Sequence, residues 1–315
     1  MIDEKIKISF VIPCYGSEKT IRTVVDDIIK TVSGKNPYEV ICVNDCSPDN
    51  VYDVLKDIAS SNENIKVINL SKNFGQQSAV LAGFNHVTGD YIVVLDDDGQ
   101  TDPKECYELL NGLDDKVDVV FAKYPEKKHS AFRNLGSTVT RLMTRWLIDW
   151  PKNIANTSYY AIKRFVIDEV IRYPNAYPFM SGLILRSTKR ISNVEIEHHD
   201  RLEGQSGYTL HKLLHLWLNG FTAFSVKPLR IASVFGFFTS LTGFVFAIIT
   251  LIRKIINPNI LIGYSSMMCV LLVVGGMIML MLGLLGEYIG RIYISLNKAP
   301  QYVIRNTLNI RDDKE

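Results

Sequence analysis

From residue 6 onward the chain alternates short apolar runs with longer stretches in which apolar residues recur every three or four positions. The runs at 6–12, 39–43, 65–70, 91–95 and 117–121 predict β-strands, and the patterns near 17–33, 50–61, 76–88 and 103–113 predict helices. Strands separated in this way predict an α/β fold, with five parallel strands joined by four crossover helices. In an open sheet of that kind ligands sit outside the carboxyl ends of the strands.

Beyond residue 122 the alternation breaks down. Residues 129–150 predict a basic amphipathic helix, with Leu135, Val139, Leu142, Met143, Trp146 and Leu147 on one face and Arg141 and Arg145 off it. Such a helix either covers the sheet or lies in a membrane interface. Residues 231–252 contain no charge, and neither do residues 255–286, whose first part (Asn257, Pro258, Asn259) reads as a turn. Each run reaches the roughly 20 residues needed to cross a bilayer core, which predicts a hairpin of two transmembrane helices. Lys227, Arg230, Arg291, Lys298 and Arg305 flank the hairpin on the side of the N-terminal bulk, against Arg253 and Lys254 in the connection. The positive-inside rule then predicts an integral protein of the inner (cytoplasmic) membrane with that bulk in the cytoplasm. Residues 300–306 predict one short strand before a polar end.

Composition adds an asymmetry. With 315 residues, 47% of them hydrophobic and 22% charged, the chain is neither disordered, collagen-like nor a disulfide-held scaffold. A net charge of +2 conceals unlike parts: residues 1–122 carry 11 basic and 21 acidic side chains, residues 123–230 carry 17 and 8, and the remainder 7 and 4. An acidic first half suits a cation, and a basic second half suits an anionic partner such as a phosphate or membrane surface. The five cysteines show no paired spacing, so reduced thiols and no zinc site are expected. The N-terminus lacks the pattern of a signal peptide.

The unusual residues fall at the predicted carboxyl ends of the strands. The first run ends in VIPCYGSEKT, where Pro13 is expected to stop the ladder, Gly16 to permit a tight turn and Ser17 to cap a helix whose amides favour an anion. The absence of GxGxxG disfavours a dehydrogenase-type dinucleotide site. The second run ends in VNDCSPDN and brings Asp45 to the same edge, as an acceptor for a base or ribose or as a helix cap. The fourth ends in VVLDDDGQTDP. Three adjacent carboxylates after a buried run are costly unless a cation or several donors compensate them. Asp96 and Asp98 project to one side in extended geometry. With the Gln100 amide they suit Mg²⁺ or Mn²⁺, which leaves coordination positions for water and phosphate oxygens.

The ordered set VIPCYG, VNDCS, LSKNFGQQSAVLAG, GDYIVVLDDDGQTDP and HHDRLEGQSGYTLHKLL, followed by two apolar spans, resembles the polyprenyl-phosphate glycosyltransferases. These form the dolichyl-phosphate mannose synthase-like branch of the family 2 glycosyltransferases, with a GT-A fold. The resemblance covers nearly the whole chain. It implies inverting transfer of a sugar from a nucleotide sugar, here a UDP-sugar, to polyprenyl (undecaprenyl) phosphate. It also implies that Pro13, Tyr15, Glu18, Asp45 and Lys72 hold the nucleotide, that Asp96 and Asp98 form the DxD pair with Asp98 and Gln100 at the metal, and that Arg133 and Arg201 face the phosphates. On this reading residues 1–122 bind donor and metal, 123–230 bind acceptor, 231–290 span the membrane and 291–315 form a cytoplasmic tail. A homo-oligomer is expected, and no nucleic-acid partner.

Several positions depart from the family pattern. Gly16 stands where Asn is common, Asn44 replaces the first Asp of a usual pair, Gly207 stands where many relatives have Lys, and NTSYYAIKR lacks an acidic residue often found there. A phosphate monoester is already an anion at neutral pH and needs no general base, which supports a phosphate acceptor independently. Two other readings remain: a processive polysaccharide synthase, against which the missing QxxRW and the small number of spans count, and a non-catalytic membrane adaptor, against which the intact Asp45, Asp96, Asp98 and Arg201 count.

Overall fold

The computed structural model describes residues 2–124, 145, 148–174, 178–196, 227–257, 263–297 and 299–310. Two compact units are present, Met1–Tyr208 with Lys298–Glu315, and Thr209–Asn297.

The first unit is built on one sheet of eight strands: β1 (Ile8–Cys14), β2 (Tyr38–Asn44), β3 (Ile65–Leu70), β4 (Tyr91–Val94), β5 (Val119–Lys123), β6 (Tyr160–Lys163), β7 (Ile191–Glu195) and β8 (Ile304–Leu308). Their spatial order is β7-β5-β6-β4-β1-β2-β3-β8. All five strands expected from the apolar runs are present, and β1 pairs in parallel with both β2 and β4. The expectation of a purely parallel sheet is corrected, because β6 runs antiparallel between β4 and β5, and β8 runs antiparallel along β3. Short strands such as the four-residue β6 carry too few positions to display a period.

The helices follow from the same patterning. They are α1 (Ile21–Val32), α2 (Val51–Ser61), α3 (Gln76–Phe84), α4 (Cys106–Asn111), α5 (Arg164–Val170) and α6 (Met180–Ser187), with a 3-10 turn at Pro103–Glu105. In α1, Ile21, Val24, Val25, Ile28 and Val32 are buried, the one-face spacing of a helix packed on a sheet. By contrast, Ser78 to Phe84 of α3 are buried all round. Gly83 permits this, since a Cβ there would lie 2.5 Å from Val11 Cγ1.

The second unit contains α7 (Lys227–Ile256) and α8 (Tyr264–Leu296). Within them Leu229–Thr250 and Val273–Leu296 are long and apolar enough to cross a membrane, and neither is buried in the protein. The helices touch where Thr239 Oγ1 donates to Met277 Sδ at 3.3 Å. Hydroxyls of Ser233, Thr242 and Thr250 donate to carbonyls one turn back, which satisfies polar groups that lipid could not.

At the amino end of the sheet, acidic charge is neutralised internally. Glu39, 1% exposed, accepts from Ser9 Oγ at 2.5 Å, Thr88 N–H at 2.6 Å and Lys66 Nζ at 2.7 Å. Burial alone would raise its pKa, but these donors win and hold it at about 2. Its charged form therefore stabilises the fold above the ordinary carboxylate range, and that contribution fades as pH falls toward 2. Glu39→Gln is expected to lower stability at pH 7 by about 3 kcal/mol. Thermal midpoints measured from pH 7 to pH 3 should show the gap between wild type and variant narrowing as the pH drops.

Candidate functional site

Strand order reverses at β1: β2 and β3 lie to one side and β4 to the other. The two central strands stay paired to Val11↔Val94, and Leu95 N–H donates to Val11 O at 3.3 Å before they part. Pro13 lies two residues further on, facing the opening gap. Its missing N–H therefore costs no ladder bond, while β1 remains paired to β2 through Cys14↔Asn44. The expectation that Pro13 ends the ladder is corrected accordingly. A crevice between diverging strands at the point of strand-order reversal is where open α/β sheets take ligands.

The loop after β1 forms one wall. Tyr15 is 53% exposed, and its N–H donates to Asp97 Oδ2 at 2.9 Å. Gly16 has φ +75° and donates its N–H to Ser47 Oγ at 2.8 Å. A left-handed backbone of this kind favours glycine. Glu18 turns away from the crevice to α2: its N–H donates to Asp49 Oδ2 at 2.9 Å, and its carboxylate accepts from Asn50 N–H at 3.2 Å.

The acidic triplet after β4 forms the opposite wall and splits into three roles. Asp97 bends back, accepting the Tyr15 amide, and its carbonyl accepts from Thr20 Oγ1 at 2.6 Å. Burial and the neighbouring Asp96 charge push its pKa up to about 6. Asp96 accepts from Gln76 Nε2 at 2.8 Å and from the Ser158 hydroxyl. Asp98 accepts the Gln100 N–H at 3.0 Å across Gly99, which has φ +72°.

Asp45 is 3% exposed, and both its oxygens accept loop amides, Phe74 N–H at 2.7 Å and Gly75 N–H at 2.8 Å. Burial raises its pKa, and those two amides oppose the rise. Asp45 thus anchors the loop that carries exposed Lys72, whose Nζ sits 4.9 Å over the Phe74 ring. Arg133 and Arg201 lie outside the described residues, as does most of the amphipathic 129–150 segment.

Beside Asp96 opens a cavity of about 190 Å³. Its polar wall includes Gln76, Asn156, Ser158 and Ser181, and its apolar wall includes Val80 and Phe179. The sequence patterning missed Asp97 as the loop's anchor and Gln76 and Ser158 as donors to Asp96. The adjacency of three aspartates was the one signal that their surroundings must differ.

Among the described residues no group of three or more His, Cys, Asp or Glu side chains could hold a metal unaided. The donor set of Asp96, Asp98 and Gln100 offers hard oxygens and two carboxylates. That set fits Mg²⁺ or Mn²⁺ completed by water and phosphate oxygens, and does not fit zinc.

Residues 9–171 match the glycosyl transferase family 2 model. The chain belongs to the family 2 glycosyltransferases. Residues 227–292 of this glycosyltransferase match the GtrB C-terminal hairpin. It is 32% identical to the uncharacterized glycosyltransferase YkcC of Bacillus subtilis, over 98% of this chain and 96% of the relative. It is 31% identical to the undecaprenyl-phosphate 4-deoxy-4-formamido-L-arabinose transferase of Proteus mirabilis, with the same coverage. Glucosyl-3-phosphoglycerate synthase from Mycobacterium tuberculosis, solved with Mn²⁺ and UDP-glucose, shares the fold at a TM-score of 0.52 and 19% identity, over 69% of this chain and 79% of that one. The resemblance seen in the motifs thus holds for the transferase domain and the hairpin together, and the glycosyltransferase is a membrane protein.

In this glycosyltransferase Asp45→Ala is expected to release the loop at Phe74 and Gly75, at a cost of about 2 kcal/mol. Hydrogen exchange should show those two amides exchanging at least tenfold faster while β2 stays protected. Unchanged exchange there would remove the anchoring role.

Proposed function

We propose that the protein transfers a sugar from a UDP-sugar to undecaprenyl phosphate or a similar polyprenyl phosphate, with inversion, at the cytoplasmic face of the inner membrane. One observation carries this reading: the hairpin interrupts a single folded unit. The chain leaves that unit before α7 and rejoins its sheet as β8 after α8. A donor crevice and a pair of membrane-spanning helices in one chain suit an acceptor that resides in lipid and a donor that does not. Curated relatives matched along almost their full length are named as undecaprenyl-phosphate transferases. The excess of Lys and Arg on the domain side of the hairpin supports the cytoplasmic face.

The nucleotide is placed at the loops after β1 and β2, with Tyr15 offering an exposed ring and Asp45 holding the Lys72 loop in reach. The cavity beside Asp96 takes the sugar. Its neutral amides and hydroxyls suit an uncharged ring, oriented by hydrogen bonds against an apolar wall. The acceptor phosphate oxygen attacks the anomeric carbon as the bond from that carbon to the diphosphate oxygen breaks. The new bond forms on the opposite face, and the nucleoside diphosphate leaves. No proton has to be removed from the acceptor, so the chain's task is to orient two anions and relieve their repulsion. Arg133 and Arg201 are assigned to that relief. Asp98 and Gln100 with Asp96 would hold a divalent cation, which would supply neutralisation of the departing diphosphate.

Detergent-solubilised protein incubated with Mn²⁺, undecaprenyl phosphate and a panel of UDP- and GDP-sugars is expected to give a polyprenyl monophosphate sugar, identified by mass spectrometry. Asp98→Ala should lower its formation at least 100-fold while membrane insertion is unchanged. Retained transfer in that variant would remove the metal role, and nucleotide-sugar binding with no lipid product in the wild type would favour the adaptor reading.

A further inference from the structure

Three asparagines stand directly opposite one another across β2, β3 and β8, in the register Asn44↔Asn69↔Asn306. Their side chains form one continuous row. Ser47 N–H donates to Asn44 Oδ1 at 3.1 Å, which turns the Asn44 amide nitrogen outward. That nitrogen donates to Asn69 Oδ1 at 2.8 Å, and the Asn69 nitrogen donates to Asn306 Oδ1 at 2.9 Å. The Asn306 nitrogen donates to the Tyr52 hydroxyl. A single backbone donor thereby sets the polarity of the whole row, because an amide has one accepting and one donating end. Asn44 and Asn69 are 4% and 8% exposed, so water does not readily replace the bond between them, and Asn306 closes the row at its exposed end. With asparagine at 44 the row is neutral throughout, whereas aspartate would bury a charge there.

Both ends of the row matter. At the inner end Ser47 Oγ accepts the Gly16 N–H at 2.8 Å and donates to Asp49 Oδ1 at 2.6 Å. At the outer end the segment leading into β8 also holds the Lys72 loop, since Ser71 N–H donates to Val303 O at 2.8 Å. Resting on the donor-site reading above, we propose that β8, the strand that follows the hairpin, is a positioning element for nucleotide binding. The Asn306–Asn69–Asn44 row holds the turn at 44–47, and through Ser47 the Gly16 loop, in the geometry that receives the nucleoside diphosphate. None of the three touches substrate; they are positioning residues.

The test is calorimetric titration of UDP and of GDP, each with Mn²⁺, into the full-length protein in detergent, with thermal midpoints measured alongside. For the tighter nucleotide, Asn306→Leu, close in size but unable to accept from Asn69, should weaken binding about 3- to 10-fold. Asn306→Ala, a smaller change, should do the same. Asn306→Asp should stay within about twofold of wild type, because a carboxylate still accepts from Asn69 and the Tyr52 hydroxyl can turn to donate to it. Asn309→Ala is the control. Asn309 Nδ2 ties the far end of β8 to Ala59 O at 2.7 Å and Ile65 O at 2.9 Å without reaching the row. It should lower the midpoint and leave nucleotide affinity within about twofold. Unchanged affinity in both Asn306→Leu and Asn306→Ala, or equal weakening in Asn309→Ala, overturns the proposal. A wild type that binds neither nucleotide overturns the donor-site reading itself, and this inference with it.

Discussion

β1 and β4 part after Val11↔Val94, and the loops that leave them there form the walls of the crevice. Both strands are buried on both faces, so their polar continuations emerge together at one edge. Three successive aspartates emerge there against a loop whose backbone amides need acceptors. Asp97 resolves both difficulties: it satisfies the Tyr15 amide and withdraws one carboxylate from the other two. This bond ties the loop after β1 to the loop after β4. The loop anchored by Asp45 and the cavity beside Asp96 are arranged around the crevice.

The two ends of the sheet treat buried acid oppositely. At the amino end Glu39 is surrounded by donors that favour its charge, and its pKa falls. At the carboxyl end Asp97 and Asp45 are raised by burial despite the amides they accept. A charged carboxylate is stabilising in the first place and costly in the second. Such a cost is what a bound cation or incoming donor groups offset, and folds tend to tolerate it where they bind ligands.

Much of this was legible in the residues, and what was not follows from physics. β1 to β5 lie within about two residues of their apolar runs, because strands buried on both faces read as unbroken hydrophobic stretches. β6 is too short to show a pattern, and β7 is only partly buried, so neither stood out. A strand was expected at 300–306 and lies at Ile304–Leu308, but its partner β3 is more than 230 residues away in sequence and no local pattern encodes that pairing. The triplet marked the site, whereas the inward turn of Asp97 and the engagement of Asp45 with Phe74 and Gly75 depend on tertiary contacts. Asn44 looked like a departure from a family motif, and its place in a row of amides gives it a physical reason.

The crevice between β1 and β4 is proposed to receive a nucleoside diphosphate with its divalent cation. Anomalous diffraction from crystals of the full-length protein grown with UDP and Mn²⁺ tests it most directly. A manganese peak is expected at Asp98 and Asp96, with the diphosphate beside it and the nucleoside against the Tyr15 loop. A manganese and UDP pair bound elsewhere on the protein, with the aspartates at the end of β4 uninvolved, would contradict it.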